Sequence, residues 1–146
     1  MLSSYARFLL LISLVALPIK SFADSHYQSQ KVVYHMNYHD EGRISETMTN
    51  ISNHLQSLPE DQIDIKVVVH GKAIEYFVDA KDNQAKQITL DSLRLRDVQF
   101  IICGNTLQGY QITKDDLYEV EDEDIVQAGL PEIVHLQQQG YVYVRP

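Results

Sequence analysis

Cysteine is nearly absent: Cys103 is the only one in 146 residues. One thiol cannot close an internal disulfide, so no covalent framework staples this chain and a hydrophobic core must hold it together. Proline occurs four times and glycine six, too few for a linker-rich or collagen-like polymer. Tryptophan is missing as well, which excludes nothing. Basic residues are the minority, with 12 Lys and Arg against 20 Asp and Glu and a net charge of −8. A surface this acidic repels phosphate, which argues against nucleic acid and anionic membranes as partners. No glycine-rich phosphate loop is present: HGKA at 70–73 is a single glycine turn. No apolar run approaches the roughly 20 residues that cross a bilayer.

The longest apolar run, residues 8–17, follows Arg7 and leads to Ser21 and Ala23. A basic start, a short greasy centre and a small-x-small ending are the marks of a secretory signal peptide cut after Ala23. Residues 1–23 are therefore expected as a signal peptide and 24–146 as one domain, exported to the periplasm and free of the membrane after cleavage. Arg7 and Lys20 leave with the leader, so the remaining chain is still more acidic. Export makes the lone cysteine informative. Cys103 is buried and inert, paired with another chain, or a free working thiol.

The stretch VQFIICGNTL at 98–107 organises the rest. A β-branched and aromatic run without alternation suits a strand buried on both faces of a parallel sheet, and Gly104-Asn105-Thr106 suits the turn into a helix. Cys103 then stands at a strand's carboxyl end, the edge where open α/β sheets bind ligands.

Other segments fit the same plan. Residues 31–37 predict a first strand, and Ile44, Met48, Ile51, Leu55 and Leu58 form the stripe of an amphipathic helix that Pro59 ends. Residues 63–70 predict a second strand, followed by a short helix through Ala73, Ile74, Phe77 and Val78. The charged segment 79–87 looks mobile or begins the next helix, for which Ile88, Leu90, Leu93 and Leu95 are the apolar candidates. Segment 107–124 is the least regular. Its acidic run at 119–124 reads as a solvated surface, since it lacks the glycine and spacing of a calcium loop. Ile125 and Val126 make a minimal fourth strand. Pro131 opens a helix that Gly140 stops, and residues 141–146 form a last strand closed by Pro146. Strands alternating with helices imply an α/β three-layer sandwich around a mostly parallel sheet of about five strands.

Parallel pairing brings three strand ends to one side: Asn37 and His39, His70 and Gly71, and Cys103 with Gly104, Asn105 and Thr106. A thiolate is the reactive form of cysteine, and helix amino ends or a neighbouring imidazolium favour it. A cysteine closing an apolar strand is often just a small packing residue, so both readings stand. His35 and His39 lie four apart across a strand end, where that spacing has no ligating geometry, and no metal or cofactor is expected. A hydrolase of Cys103, His70 and Asp40 lacks any nucleophile motif around the cysteine.

KVVYHMN at 31–37, the helix carrying Asn53-His54-Leu55, VVVHG at 67–71, FIICGNT at 100–106 and GYVYVRP at 140–146 occur in this order. Together they resemble the exported branch of the DsrE/DsrF-like family, over nearly the whole chain after the leader. That resemblance implies a compact α/β sandwich, a homo-oligomer such as a trimer or hexamer, and in some members a cysteine that carries sulfur as a persulfide in a relay. Cys103 is the one residue to which that role transfers, with a sulfur donor or acceptor protein as the implied partner. His70, Gly71, Asn105 and Thr106 match recurrent positions, and Gly104, Asn37 and His39 complete the expected binding edge. The rival expectation is a non-catalytic small-ligand-binding or assembly module in which Cys103 is packing.

Overall fold

The computed structural model describes residues 26–146; the signal peptide expected at 1–23 lies outside them. Five strands form one sheet: β1 (Gln30–Met36), β2 (Ile63–Val69), β3 (Gln99–Cys103), β4 (Ile125–Val126) and β5 (Val142–Val144). Their spatial order is β4-β3-β2-β1-β5, and every neighbouring pair is parallel. The expected mostly parallel sheet is thus wholly parallel.

Successive side chains of a strand point to opposite faces, and both faces here are covered. Val32, Tyr34, Met36, Ile65, Val67, Val69, Phe100 and Ile102 share one core with α1 (Glu41–Gln56), α2 (Glu75–Asp79) and α3 (Gln84–Arg94). The alternate positions Val33, Val68 and Ile101 pack with Ile133 and Leu136 of α5 (Gly129–Gln138) and with Tyr141. This double burial explains why the strands read as unbroken apolar runs. Burying each of these side chains fully is worth about 1.5–3 kcal/mol, so the larger core carries most of the stability and the α5 face carries the smaller part.

The helices start and stop for local reasons. Asp40 caps α1 by accepting from Arg43 N at 2.7 Å, which gives it a structural place rather than one in a hydrolytic triad. Segment 79–87 closes into the end of α2, a turn, and an α3 capped by Asn83, whose side chain accepts from Ala85 N and Lys86 N. Lys86 ties this region together by donating to Glu41 and Asp79 at 2.7 and 2.9 Å. Of the four apolar residues assigned to α3, Leu90 and Leu93 are buried, while Ile88 and Leu95 are exposed. A helix lying on a sheet buries only a narrow stripe.

Tyr141 precedes β5 instead of starting it. It is buried, its hydroxyl donates to Asp64, and Lys31 and Lys66 each stand 5.6 Å from its ring centre.

Candidate functional site

The site lies at the carboxyl edge of the sheet, on the face covered by α5. Alternation puts Cys103 on the face of Ile101, His70 on that of Val68, and His35 on that of Val33. Tyr143 pairs with Val33 in register and shares that face. Four adjacent strands thus align Cys103, His70, His35 and Tyr143 in a line across the sheet.

Contacts among His70, His35 and Tyr143 are direct. His35 Nε2 and His70 Nε2 are 2.6 Å apart, with the rings stacked at a centroid distance of 4.8 Å. The Tyr143 hydroxyl meets His35 Nδ1 at 2.7 Å. Burial, then the His70 and Arg145 charges, hold His35 well below the usual imidazole range, at about 4. Burial and Arg145 lower His70 too. Two neutral imidazoles facing each other need one donor and one acceptor, and the chain satisfies this in either direction. In one, Tyr143 donates to His35 and His35 to His70; in the other, His70 donates to His35 and His35 to the phenol oxygen. Switching between them shifts protons between the two ends.

Gly129, the first residue of α5, joins this line to Cys103. A Cβ on Gly129 would lie 3.4 Å from the Cys103 Cβ, 3.4 Å from the His70 Cβ and 3.2 Å from Val68 Cγ1. A glycine here lets the helix come close to both strand ends, and a side chain would press on Val68.

Cys103 itself is 6% exposed. Burial pushes its thiol up, but hydrogen bonding from the Thr106 side chain and from the N–H groups of Gly129, Thr106 and Asn105 outweighs burial and leaves it below the ordinary value. These donors come from the beginnings of α5 and of α4 (Gly104–Tyr110). Thr106 also fixes the neighbouring turn: its Oγ1 accepts from Gly71 N at 2.9 Å. Gly71 has a φ of 57°, a left-handed conformation that favours glycine.

The other expected site residues are distributed unevenly. Gly104 serves close packing, since a Cβ there would sit 3.0 Å from the Val126 carbonyl oxygen. Asn105 N also donates to the Gln127 carbonyl at 3.1 Å, tying α4 to the chain after β4. Asn37 accepts from Arg145 through Oδ1 at 2.7 Å, beside the imidazoles. His39 stands apart. Its side chain is 63% exposed and pairs with Glu75 at 2.7 Å, because the chain has left β1 three residues earlier and turned toward α2.

His35, Tyr143, Arg145 and Gly129 complete the site without being named as site residues from the sequence, where His35 enters only as half of a metal pair with His39. Parity could have found His35, which is two residues from Val33. The last strand lies beside β1 rather than at the β4 edge, and no residue pattern announces that order. Among the described residues, no group of three or more His, Cys, Asp or Glu side chains is arranged to hold a metal ion.

Comparison with known proteins bears on this geometry. The DsrE/DsrF-like family matches residues 30–146. A solved structure of a protein of unknown function from Methanobacterium thermoautotrophicum is similar, with a TM-score of 0.66 and 27% sequence identity, covering 80% of this chain and 99% of that one. No curated protein matches the chain.

Proposed function

The chain belongs to the DsrE/DsrF-like family, and on that footing we propose that it is a sulfur-handling protein in which Cys103 accepts a sulfane sulfur, carries it as a persulfide and passes it on. The observation that carries this reading is the environment of the thiol. A buried sulfur surrounded only by aliphatic groups would have its pKa raised, whereas Cys103 lies below the ordinary value under hydrogen bonding from Thr106 and Gly129. The same donors would stabilise a persulfide anion. In this reading His70 exchanges a proton with the incoming or leaving group, and its contact with His35, which in turn meets Tyr143, supports a link to the β5 edge.

With one cysteine in the chain, no second thiol of the same chain can resolve the persulfide, so the sulfur goes to another molecule. The pattern of residues 1–23 supports export to the periplasm. Exposed Leu130 and Val134 on α5 and Val142 on β5 support a homo-oligomer such as a trimer or hexamer.

Intact-mass measurement of protein from its native compartment tests the proposal. An adduct of about 32 mass units, removed by reductant and absent from Cys103→Ser, is expected. An adduct that persists in Cys103→Ser, or none at all, defeats it. A second reading, a non-catalytic binding or assembly module with Cys103 as packing, draws on the low exposure of the sulfur. It predicts that Cys103→Ser keeps biological activity and changes stability alone.

A further inference from the structure

The two imidazoles stand where their strands end. Register pairs His35 with Val68 and the last residue of β1, Met36, with Val69, so His70 lies two positions beyond the partner of His35 and on the same face. Their Nε2 atoms are 2.6 Å apart, a gap that holds one hydrogen. Each neutral ring brings one proton, so the closed pair has one hydrogen in the gap and one on an outer nitrogen, and a single further proton fills it. A second would set N–H against N–H. Once apart, the same rings each charge freely below about pH 6.5. Separation therefore binds more protons than contact does, and acid drives it.

Little around the pair opposes this. β5 faces it with the Tyr143 hydroxyl, and Arg145, just after β5, acts on both rings as a like charge. β1 is followed by the neutral Asn37, which accepts from Arg145. The end of β3 brings Cys103, the one group there able to turn negative, and acid favours its thiol. α5 brings Gly129, while its titratable Glu132 and His135 line a separate cleft with Val126 and Gln127. Among the described residues neither ring pairs with a carboxylate, whereas His39 has Glu75.

The rings are not held equally. His35 is clasped between β2 and β5. His70 lies past the end of β2, tied by its own N–H to the Met36 carbonyl at 3.1 Å and by Gly71 N to Thr106 Oγ1 at 2.9 Å. It is the ring with freedom to leave. Gly129 fits against the Cβ atoms of both His70 and Cys103, and its N–H bonds toward the sulfur, so removing His70 loosens what covers the thiol. We propose that His35 and His70 form an acid-operated bolt: charging both rings swings His70 off the carboxyl edge, frees the start of α5 and opens Cys103, 6% exposed when closed, to solvent. The device governs access to the thiol and stands whatever the thiol carries.

Amide exchange read by NMR and thiol labelling, both on the purified protein, test the bolt. From pH about 6.5 down to about 4, the protection factors of the His70 and Gly71 amides are expected to fall about tenfold per pH unit for each extra proton the open form binds. Val67, buried in the middle of β2, is expected to keep its protection. Labelling of Cys103 by 4,4'-dithiodipyridine, which reacts with thiols in acid, is expected to rise in parallel when divided by the rate of a small free thiol at each pH. His70→Gln sets an uncharged amide at the reach of Nε2 and is expected to flatten both profiles. The ring 15N shifts of the wild type give a reading free of any substitution, with both rings charging as protection is lost. Unchanged protection down to pH about 4, a fall shared equally by Val67, or the same fall in His70→Gln overturns the bolt. So does the charging of both rings while the amides stay protected, and so does a normalised labelling rate that stays flat while they open.

Discussion

Thr106 uses one hydroxyl twice: Oγ1 accepts from Gly71 N and the side chain hydrogen-bonds toward Cys103. Thr106→Val keeps the shape and removes both interactions. Leaving the Gly71 N–H unpaired is expected to lower stability by about 1–3 kcal/mol, read from a urea midpoint. The Cys103 thiol is expected to titrate at higher pH, read from iodoacetamide rates across pH, and an unchanged profile would remove Thr106 from the site. The imidazole pair gives a second prediction at this scale. His35 is 7% exposed and titrates at about 4, whereas an unfolded histidine titrates near 6.5. Below that value the unfolded chain binds more protons than the native one, so stability falls as pH drops from about 6.5 toward about 4. His35→Asn is expected to flatten this part of a melting-temperature profile against pH, and an equally steep profile in the variant would exclude His35 as the cause.

Among the elements, the connection between α4 and β4 depends most on a single side chain. Arg94 leaves α3 and passes between the rings of Phe100 and Tyr118, at 5.6 and 5.9 Å, to donate to the carbonyls of Tyr118 and Glu119. The Tyr118 hydroxyl donates back to Asp91 at 2.9 Å. Arg94→Ala is expected to cost about 1–3 kcal/mol and to speed proteolysis within residues 111–124; an unchanged digestion pattern would show the segment held by other means. This clamp was not legible in the sequence, where 107–124 shows no period and Arg94 looks like any exposed helix end. The regular elements were legible because burial on both faces writes itself as apolar runs in β1, β2 and β3 and as stripes on α1 and α5. Cys103 and His70 were legible as strand ends. His35 was obscured because its spacing to His39 drew attention away from its parity with Val33. Tyr143 and Arg145 were invisible because strand order is set by which edge the last strand joins, and β5 chose β1.

For the molecule as a whole, the division of labour between the two faces matters. The face with α1, α2 and α3 holds the large core, while α5 alone covers the site and leaves Leu130 and Val134 exposed one helical turn apart. A homo-oligomer built on this face would bury both. Val134→Asp is expected to lower the mass seen by light scattering from that of a trimer or hexamer toward a monomer without changing the circular dichroism spectrum. A wild type that is already monomeric at micromolar concentration would end the idea.

The line of Cys103, His70, His35 and Tyr143 draws each member from a separate strand region, and one residue of slippage in any strand would turn its member to the opposite side. Before the strands have zipped together, therefore, the four side chains share no common face and the site does not exist. The arrangement arrives with the finished sheet, so under the proposed carrier reading a half-assembled chain has the cysteine without the neighbours that would hold a persulfide.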